Sequence, residues 1–380
     1  MILELIATTG FGLEAVAKRE IQNLGYEIVS VEDGKVTYKA DERGIVRSNL
    51  WLRTPDRILM KIAEFRALEF EDLFQRVKGY PWEELIPIDG KFTVTGSSVK
   101  SKLSSVPACQ SVVKKAIVER LKEFYVVDRF EETGAEYTVK VSLLKDRATI
   151  TVDTSGSSLH KRGYRVAPVA APMKENMAAA LVELSFFRAG RMLVDPCCGS
   201  GTIPIEAAMI EMNIAPGLSR RFACDQWEFI DKSLWKEEKK KAYEAIDYDK
   251  DIKIKAYDIN KDAVDAAMEN AEEAGVDDCI EFAVADIKTL EASEPNGIII
   301  TNPPYGERIG EEEAIDKIYK KLGEFFKENP DWSLFLITTD DDFEQKAMGR
   351  KADRRRKLFN GRLKTTYYQF HGEKPKVKNV

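Results

Sequence analysis

Residues 302–305 read Asn-Pro-Pro-Tyr and follow an apolar run, Gly297 to Thr301 (GIIIT), with the composition of a buried parallel strand. At a strand end such a tetrapeptide suits one chemistry: holding a planar exocyclic amine while a methyl group is delivered to its nitrogen. That amine is a poor nucleophile because its lone pair is delocalised into the ring. The Asn302 amide oxygen and the Pro303 carbonyl can each accept one N–H, which directs the lone pair out of the ring plane. Pro303 and Pro304 remove backbone donors and stiffen the turn, and Tyr305 offers a flat face for a base to stack on. The plainer alternative is a strand closed by a proline turn. Asn302, Pro303, Pro304 and Tyr305 are therefore the candidate catalytic residues.

A second motif lies about a hundred residues upstream. Residues 191–202 read RMLVDPCCGSGT, an apolar strand closing on Asp195, a loop with Gly199 and Gly201, then a helix from Thr202 to about Met212. Glycines at a strand-to-helix turn let a ligand approach the backbone. A dinucleotide site is the obvious competitor, but the third glycine of G-x-G-x-x-G is missing and an Asp-Pro stands directly ahead. This form resembles motif I of the class I S-adenosylmethionine-dependent methyltransferases. IKIKAYDIN (252–260) predicts a strand ending at Asp258, able to accept from ribose hydroxyls. IEFAVADI (280–287) predicts another, ending at Asp286, which could receive an adenine amino group. Singly, each acid would pass for a helix cap or a solvated turn. Together, at successive strand ends, they define one crevice.

The elements that must position these groups are legible downstream and upstream. After the tetrapeptide come an amphipathic helix (about 311–328), a strand (WSLFLITT, 332–339) and two alternating segments around Asn360-Gly361, a type I′ hairpin signal. A parallel sheet ending in an antiparallel hairpin is the class I methyltransferase layout. Residues 1–50 predict strand, helix and a hairpin turning at Gly34. Residues 51–155 predict further helices, the longest at 106–125, and a second hairpin in 136–156. No catalytic constellation occurs in that half. It reads as a packing or dimerisation domain, or as an RNA-grasping one using Lys100, Lys102, Lys114 and Lys115. The stretch SSLHKRGYRV (157–166) reads as part of a basic linker, 156–175, in which His160, Lys161, Arg162 and Arg165 could reach RNA phosphate or cofactor. For His160 an ordinary linker role is equally open.

The net charge of −6 argues against nucleic acid, but its distribution does not. Residues 1–170 carry 26 Lys+Arg against 24 Asp+Glu, whereas the remainder carries 32 against 40. Within that acidic remainder, residues 346–364 hold nine Lys/Arg and one acid, Asp353. The cluster, with Arg354, Arg355 and Arg356 at its centre, is either a solvated face or a phosphate-contacting rim. Five cysteines without a C-x-x-C pair and only two histidines leave no plausible zinc site; Cys197 and Cys198 read as packing residues. No apolar run reaches membrane-spanning length and no basic leader opens the chain, so the expected compartment is a reducing cytoplasm.

In this order, SLHKRGYR, PMKENMAAAL, DPCCGSGTIPIEAA, NIAPGL, FACDQW, TNPPYGERIG and KLFNGRLKTTYYQF resemble the THUMP-containing RNA methylases over essentially the whole length. The likeness is strongest to the RlmL-type 23S ribosomal RNA guanine-N2 methyltransferases. It implies an α/β fold: a Rossmann-like class I methyltransferase sheet with a terminal antiparallel hairpin, preceded by an α+β ferredoxin-like plus THUMP RNA-binding half. The implied domains are ferredoxin-like 1–50, THUMP 51–155, linker 156–175 and methyltransferase 176–380. The implied cofactor is S-adenosylmethionine, with Asp195, Gly199, Gly201 and Thr202 at its methionine end, Asp258 at the ribose, Asp286 at the adenine and Asn302 beside the transferred methyl. The implied partner is RNA, ribosomal above all, and no metal is needed. Rival readings are a transfer RNA guanine-N2 enzyme, a DNA adenine-N6 or cytosine-N4 methylase, and a non-catalytic RNA-binding factor that retains the fold.

Overall fold

The computed structural model describes residues 2–166, 172–305 and 312–373, with Glu312 described in its backbone only. Residues 167–171 of the expected linker, the GERIG end of the tyrosine-containing motif and the expected helix start at 311 lie outside the described residues. Two compact units divide the chain: 1–9, 17–159 and 220–241 form one, and 10–16, 160–219 and 242–380 the other.

The first unit is built on one seven-stranded sheet. In chain order its elements are β1 (Leu3–Thr8), α1 (Glu14–Asn23), β2 (Glu27–Glu32), β3 (Lys35–Ala40), α2 (Glu42–Trp51), β4 (Arg57–Arg66), α3 (Phe70–Lys78), β5 (Lys91–Val99), α4 (Val106–Tyr125), β6 (Glu136–Leu144) and β7 (Arg147–Asp153). The strand order is β2-β3-β1-β4-β7-β6-β5. Its first four strands are antiparallel with two helical crossovers, the ferredoxin-like arrangement, and β4 also pairs with β7. The parallel pair β5–β6 needs a long crossover, which α4 supplies. Asp41 caps α2 by accepting from the Gly44 N–H, and Ser105 caps α4. The alternation seen in EYTVKVS buries Tyr137, Val139 and Val141. Residues 220–241 complete this unit's core: Trp227 stacks on Tyr137 at 4.9 Å and donates its indole N–H to the Glu136 carbonyl at 3.1 Å. Phe222 and Trp235 are buried in the same cluster.

The second unit holds α5 (Glu175–Leu184), β8 (Met192–Asp195), α6 (Thr202–Glu211), the end of α7 (Lys232–Glu244), β9 (Lys253–Asp258), α8 (Lys261–Ala274), β10 (Ile280–Val284), β11 (Ile298–Thr301), α9 (Glu312–Glu328), β12 (Ser333–Thr338), β13 (Arg354–Asn360) and β14 (Leu363–Phe370). The order is β10-β9-β8-β11-β12-β14-β13, with the first five strands parallel and the last two antiparallel. β8, β11 and β12 are buried along their full length, as parallel strands covered on both faces must be. Successive residues of β11 feed opposite cores: Ile298 and Ile300 pack with α5, α6 and α8, and Ile299 with α9. Strand order reverses between β8 and β11, which places the ligand crevice at their carboxyl ends.

Two details differ from the sequence expectation. β10 ends at Val284, and Asp286 lies beyond it as the cap of a short 3₁₀ turn. The last hairpin turns on Gly361-Arg362, with Asn360 already paired to Leu363. Only Gly361 takes positive φ, 64°, which is the pattern of a II′ loop and not of I′.

Candidate active site at the carboxyl ends of the parallel strands

The loop after β8 turns on Gly199 and Gly201, at φ 52° and 76°. A Cβ on Gly201 would lie 3.0 Å from that of Ala267 on α8, so the close approach requires glycine. Two contacts hold the loop against β9: the Cys198 N–H donates to the Tyr257 carbonyl at 2.8 Å, and the Gly199 N–H to Asp258 Oδ2 at 2.9 Å. The other Asp258 oxygen accepts from the Asn260 N–H at 2.9 Å. Asp258 borders a cleft of about 300 Å³ with Cys197, Ile259, Asp286, Ile287 and Pro304. The Asp286 carboxyl sits below its ordinary value, chiefly because the Lys288 N–H donates to it. Apolar walls with one carboxylate at the end of β9 and another in the turn after β10 could take a nucleoside, the base between the walls and its polar groups on the acids.

Asp195 stands elsewhere. It is 1% exposed and uses Oδ1 to accept from the Thr301 hydroxyl at 2.7 Å and the Cys197 N–H at 3.2 Å. It is thus an internal tie between β8 and β11. Burial pushes its pKa up to about 7, against the two hydrogen bonds. Burial also raises the Cys197 and Cys198 thiols above their ordinary range, so neither is a ready thiolate.

At the end of β11, Pro303 is buried, Asn302 and Tyr305 are half-buried and Pro304 is exposed. The Tyr305 hydroxyl donates to Asn302 Oδ1 at 2.6 Å, and Asn360 Nδ2 donates to that hydroxyl at 3.2 Å. The acceptor oxygen is therefore presented, with a hydroxyl resting on it. Asn360 carried no signal beyond its place in a turn, and only the tertiary fold brings the end of β13 to the loop that follows β11.

The basic stretch 160–166 does not lie as an exposed linker. Arg162 is 3% exposed, with Nε 3.3 Å from Oε1 of the wholly buried Glu206 on α6, so it is corrected from an RNA contact to a core ion pair. Tyr164 donates to the same oxygen at 3.2 Å. Arg165 binds Glu175 at 3.1 Å, Ser200 Oγ at 3.0 Å and Thr202 Oγ1 at 3.2 Å, and so braces the glycine loop. The available signal was Glu206 at the middle of the helix TIPIEAAMIE, flanked by apolar residues, because a buried carboxylate needs a partner. His160 and Lys161 border an open surface pocket of about 390 Å³. Arg354 and Arg355 are exposed on β13, Arg355 lying 3.5 Å from Glu344, while Arg356 is half-buried. In the first unit Lys100, Lys102, Lys114 and Lys115 are all exposed; Lys102 and Lys115 lie near Glu69 and Glu119.

Comparison with known proteins agrees with this geometry. The model of an RMKL-like methyltransferase domain matches residues 162–369, that of the RlmL ferredoxin-like domain residues 4–59, and that of the THUMP domain residues 67–153. YpsC of Bacillus subtilis (strain 168), provisionally named as an RNA methyltransferase, is 50% identical over 96% of this chain and 95% of its own. The ribosomal RNA large subunit methyltransferase K/L of Psychromonas ingrahamii (strain DSM 17664 / CCUG 51855 / 37) is 33% identical over 99% of this chain, which spans 51% of that relative's length. Among solved structures, SMU.472 complexed with SAH superposes at a TM-score of 0.93, with 44% identity and 99% of each chain covered. The chain belongs to the THUMP-containing, RlmL-like methyltransferases.

Proposed function

We propose that this protein transfers a methyl group from S-adenosylmethionine to the exocyclic N2 of a guanine in 23S ribosomal RNA. The observation that supports it most is the Tyr305 hydroxyl on Asn302 Oδ1 at 2.6 Å, since a donor already sits where an amine N–H would go. The cofactor supplies the methyl group on a cationic sulfonium. Asp258 would accept from its ribose and Asp286 from its adenine, while the Gly199–Thr202 loop would enclose its methionine end. The target guanine leaves its stack and enters beside Pro304. Tyr305 then turns off Asn302 and stacks on the base. Asn302 Oδ1 and the Pro303 carbonyl each accept one N–H, and the N2 lone pair faces the methyl carbon. The N–C bond would form as the S–C bond breaks, with the amine's extra proton passing to solvent. Positioning supplies the rate, so no nucleophilic side chain is required.

The test is methyl transfer to protein-free ribosomal RNA, transfer RNA and DNA offered separately, with mass-spectrometric identification of the product nucleoside. N2-methylguanosine in ribosomal RNA is the expected result. The same nucleoside in transfer RNA alone would move the substrate class, and methylated adenine or cytosine would overturn the guanine mechanism.

A further inference from the structure

Phe11 and Phe359 are 51% and 41% exposed, yet their rings meet edge to face, with centroids 6.0 Å apart at 77°. Both are fixed from behind within the second unit. Leu13 and Leu358 are buried in one core cluster. Gly12, at φ 90°, lies so close to the Lys357 carbonyl that a Cβ there would stand 2.6 Å from the oxygen. The aromatic pair is therefore held outward by buried neighbours and is not a loose surface contact. Single exposed apolar residues need no explanation, but a rigid pair does. Its surroundings are basic: Lys357 and Arg362 are exposed, and so is Lys364, which stands opposite Phe359 across the hairpin. Among the described residues none of the three cations has an ion-pair partner. The residue after Phe359 is Asn360, whose amide reaches the Tyr305 hydroxyl.

We propose that Phe11 and Phe359 form a stacking platform for a nucleotide that flanks the methylated guanine, with Lys357, Arg362 and Lys364 taking adjacent phosphates. This rests on the reading of the site as one that acts on RNA. Any nucleobase offers a π face to such a platform, and the cations suit a polyanion. A second copy of this chain is the poorer occupant, because like-charged patches would meet.

The experiment uses the full chain and two readouts: methyl transfer to protein-free ribosomal RNA, and fluorescence anisotropy with a short labelled single-stranded RNA. Phe11→Ala and Phe359→Ala should each weaken RNA binding about tenfold with the salt slope unchanged, and should raise the KM for RNA while leaving kcat and S-adenosylmethionine affinity in place. Phe359→Trp should retain binding and Phe359→Leu should not, which separates stacking from packing. Lys357→Ala with Lys364→Ala should instead flatten the salt slope by roughly 1.4. Binding unchanged in both alanine variants, recovery by leucine, or a dimer dissolved by Phe11→Ala would overturn the platform. If the unaltered protein methylates no ribosomal RNA, the proposed function falls, and the binding arm still decides the platform.

Discussion

The Asn302–Tyr305–Asn360 chain sets what single substitutions should do at the catalytic motif. Asn302→Ala removes the acceptor that orients the amine, so methyl transfer should fall about a hundredfold or more while cofactor binding persists. Near-normal incorporation by this variant would count against the mechanism. Tyr305→Phe keeps the stacking ring and frees Asn302 Oδ1, so it should be mild in kcat, whereas Tyr305→Ala should be severe. Asp195 makes a pH argument. Folding lifts its pKa from the ordinary carboxylate range to about 7, mainly by burial, so the folded state binds the extra proton between those limits. The stability this group contributes is complete below about pH 4 and is lost as pH rises through about 7. Asn at this position still accepts from Thr301 and carries no charge. The stability difference between Asp195→Asn and the unaltered protein, from urea midpoints, should therefore move in favour of Asn from pH 5 to pH 8. A pH-independent difference would sink the assignment.

The elements show how far a sequence carries. The tetrapeptide, the glycine loop, Asp258 and the parallel strands between them were legible because a buried parallel strand is a short apolar run and its end is marked by glycine, proline or an acid. The roles of Asp195, Arg162 and Arg165 were not, because burial and partner are decided by tertiary packing. Asp195 turns inward to Thr301, and the basic stretch folds onto α6 and the loop it precedes. Arg162 and Glu206 offer a test. Glu206→Ala deprives a buried guanidinium of its carboxylate and should cost about 3–5 kcal/mol, whereas Arg162→Met with Glu206→Leu should lie closer to the unaltered protein. Equal losses in the single and double variants would show that the pair is not coupled. Gly201→Ala places a side chain at positive φ against Ala267, and should cost about 1–3 kcal/mol and weaken cofactor binding. Thermal melts with and without S-adenosylmethionine separate the two effects.

At the scale of the molecule, the two compact units are interleaved along the chain. Reading from one end to the other yields consecutive segments, and nothing local in residues 220–241 announces which core their aromatics join. Phe222, Trp227 and Trp235 are core residues of the first unit although they lie between strands of the second unit's sheet in sequence. Conversely, Leu13 and Val16 from near the N-terminus are buried in the second unit's core. A cut at the apparent boundary therefore damages both. A fragment of residues 157–380 keeps three large aromatics whose core it has lost, and it loses two apolar residues from the core it keeps. Such a fragment should bind the dye ANS, melt well below the intact chain and associate in sedimentation, since large contiguous apolar patches drive association. A second fragment, with 220–241 replaced by a short glycine-serine linker, should recover a monomer but still carry the gap left by Leu13 and Val16. The cleft lined by Cys197, Asp258, Asp286 and Pro304 draws no residue from the first unit, so the second fragment should retain S-adenosylmethionine binding, read by calorimetry. A monomeric, sharply melting 157–380 fragment would show that the aromatics of 220–241 do not depend on the first unit's core.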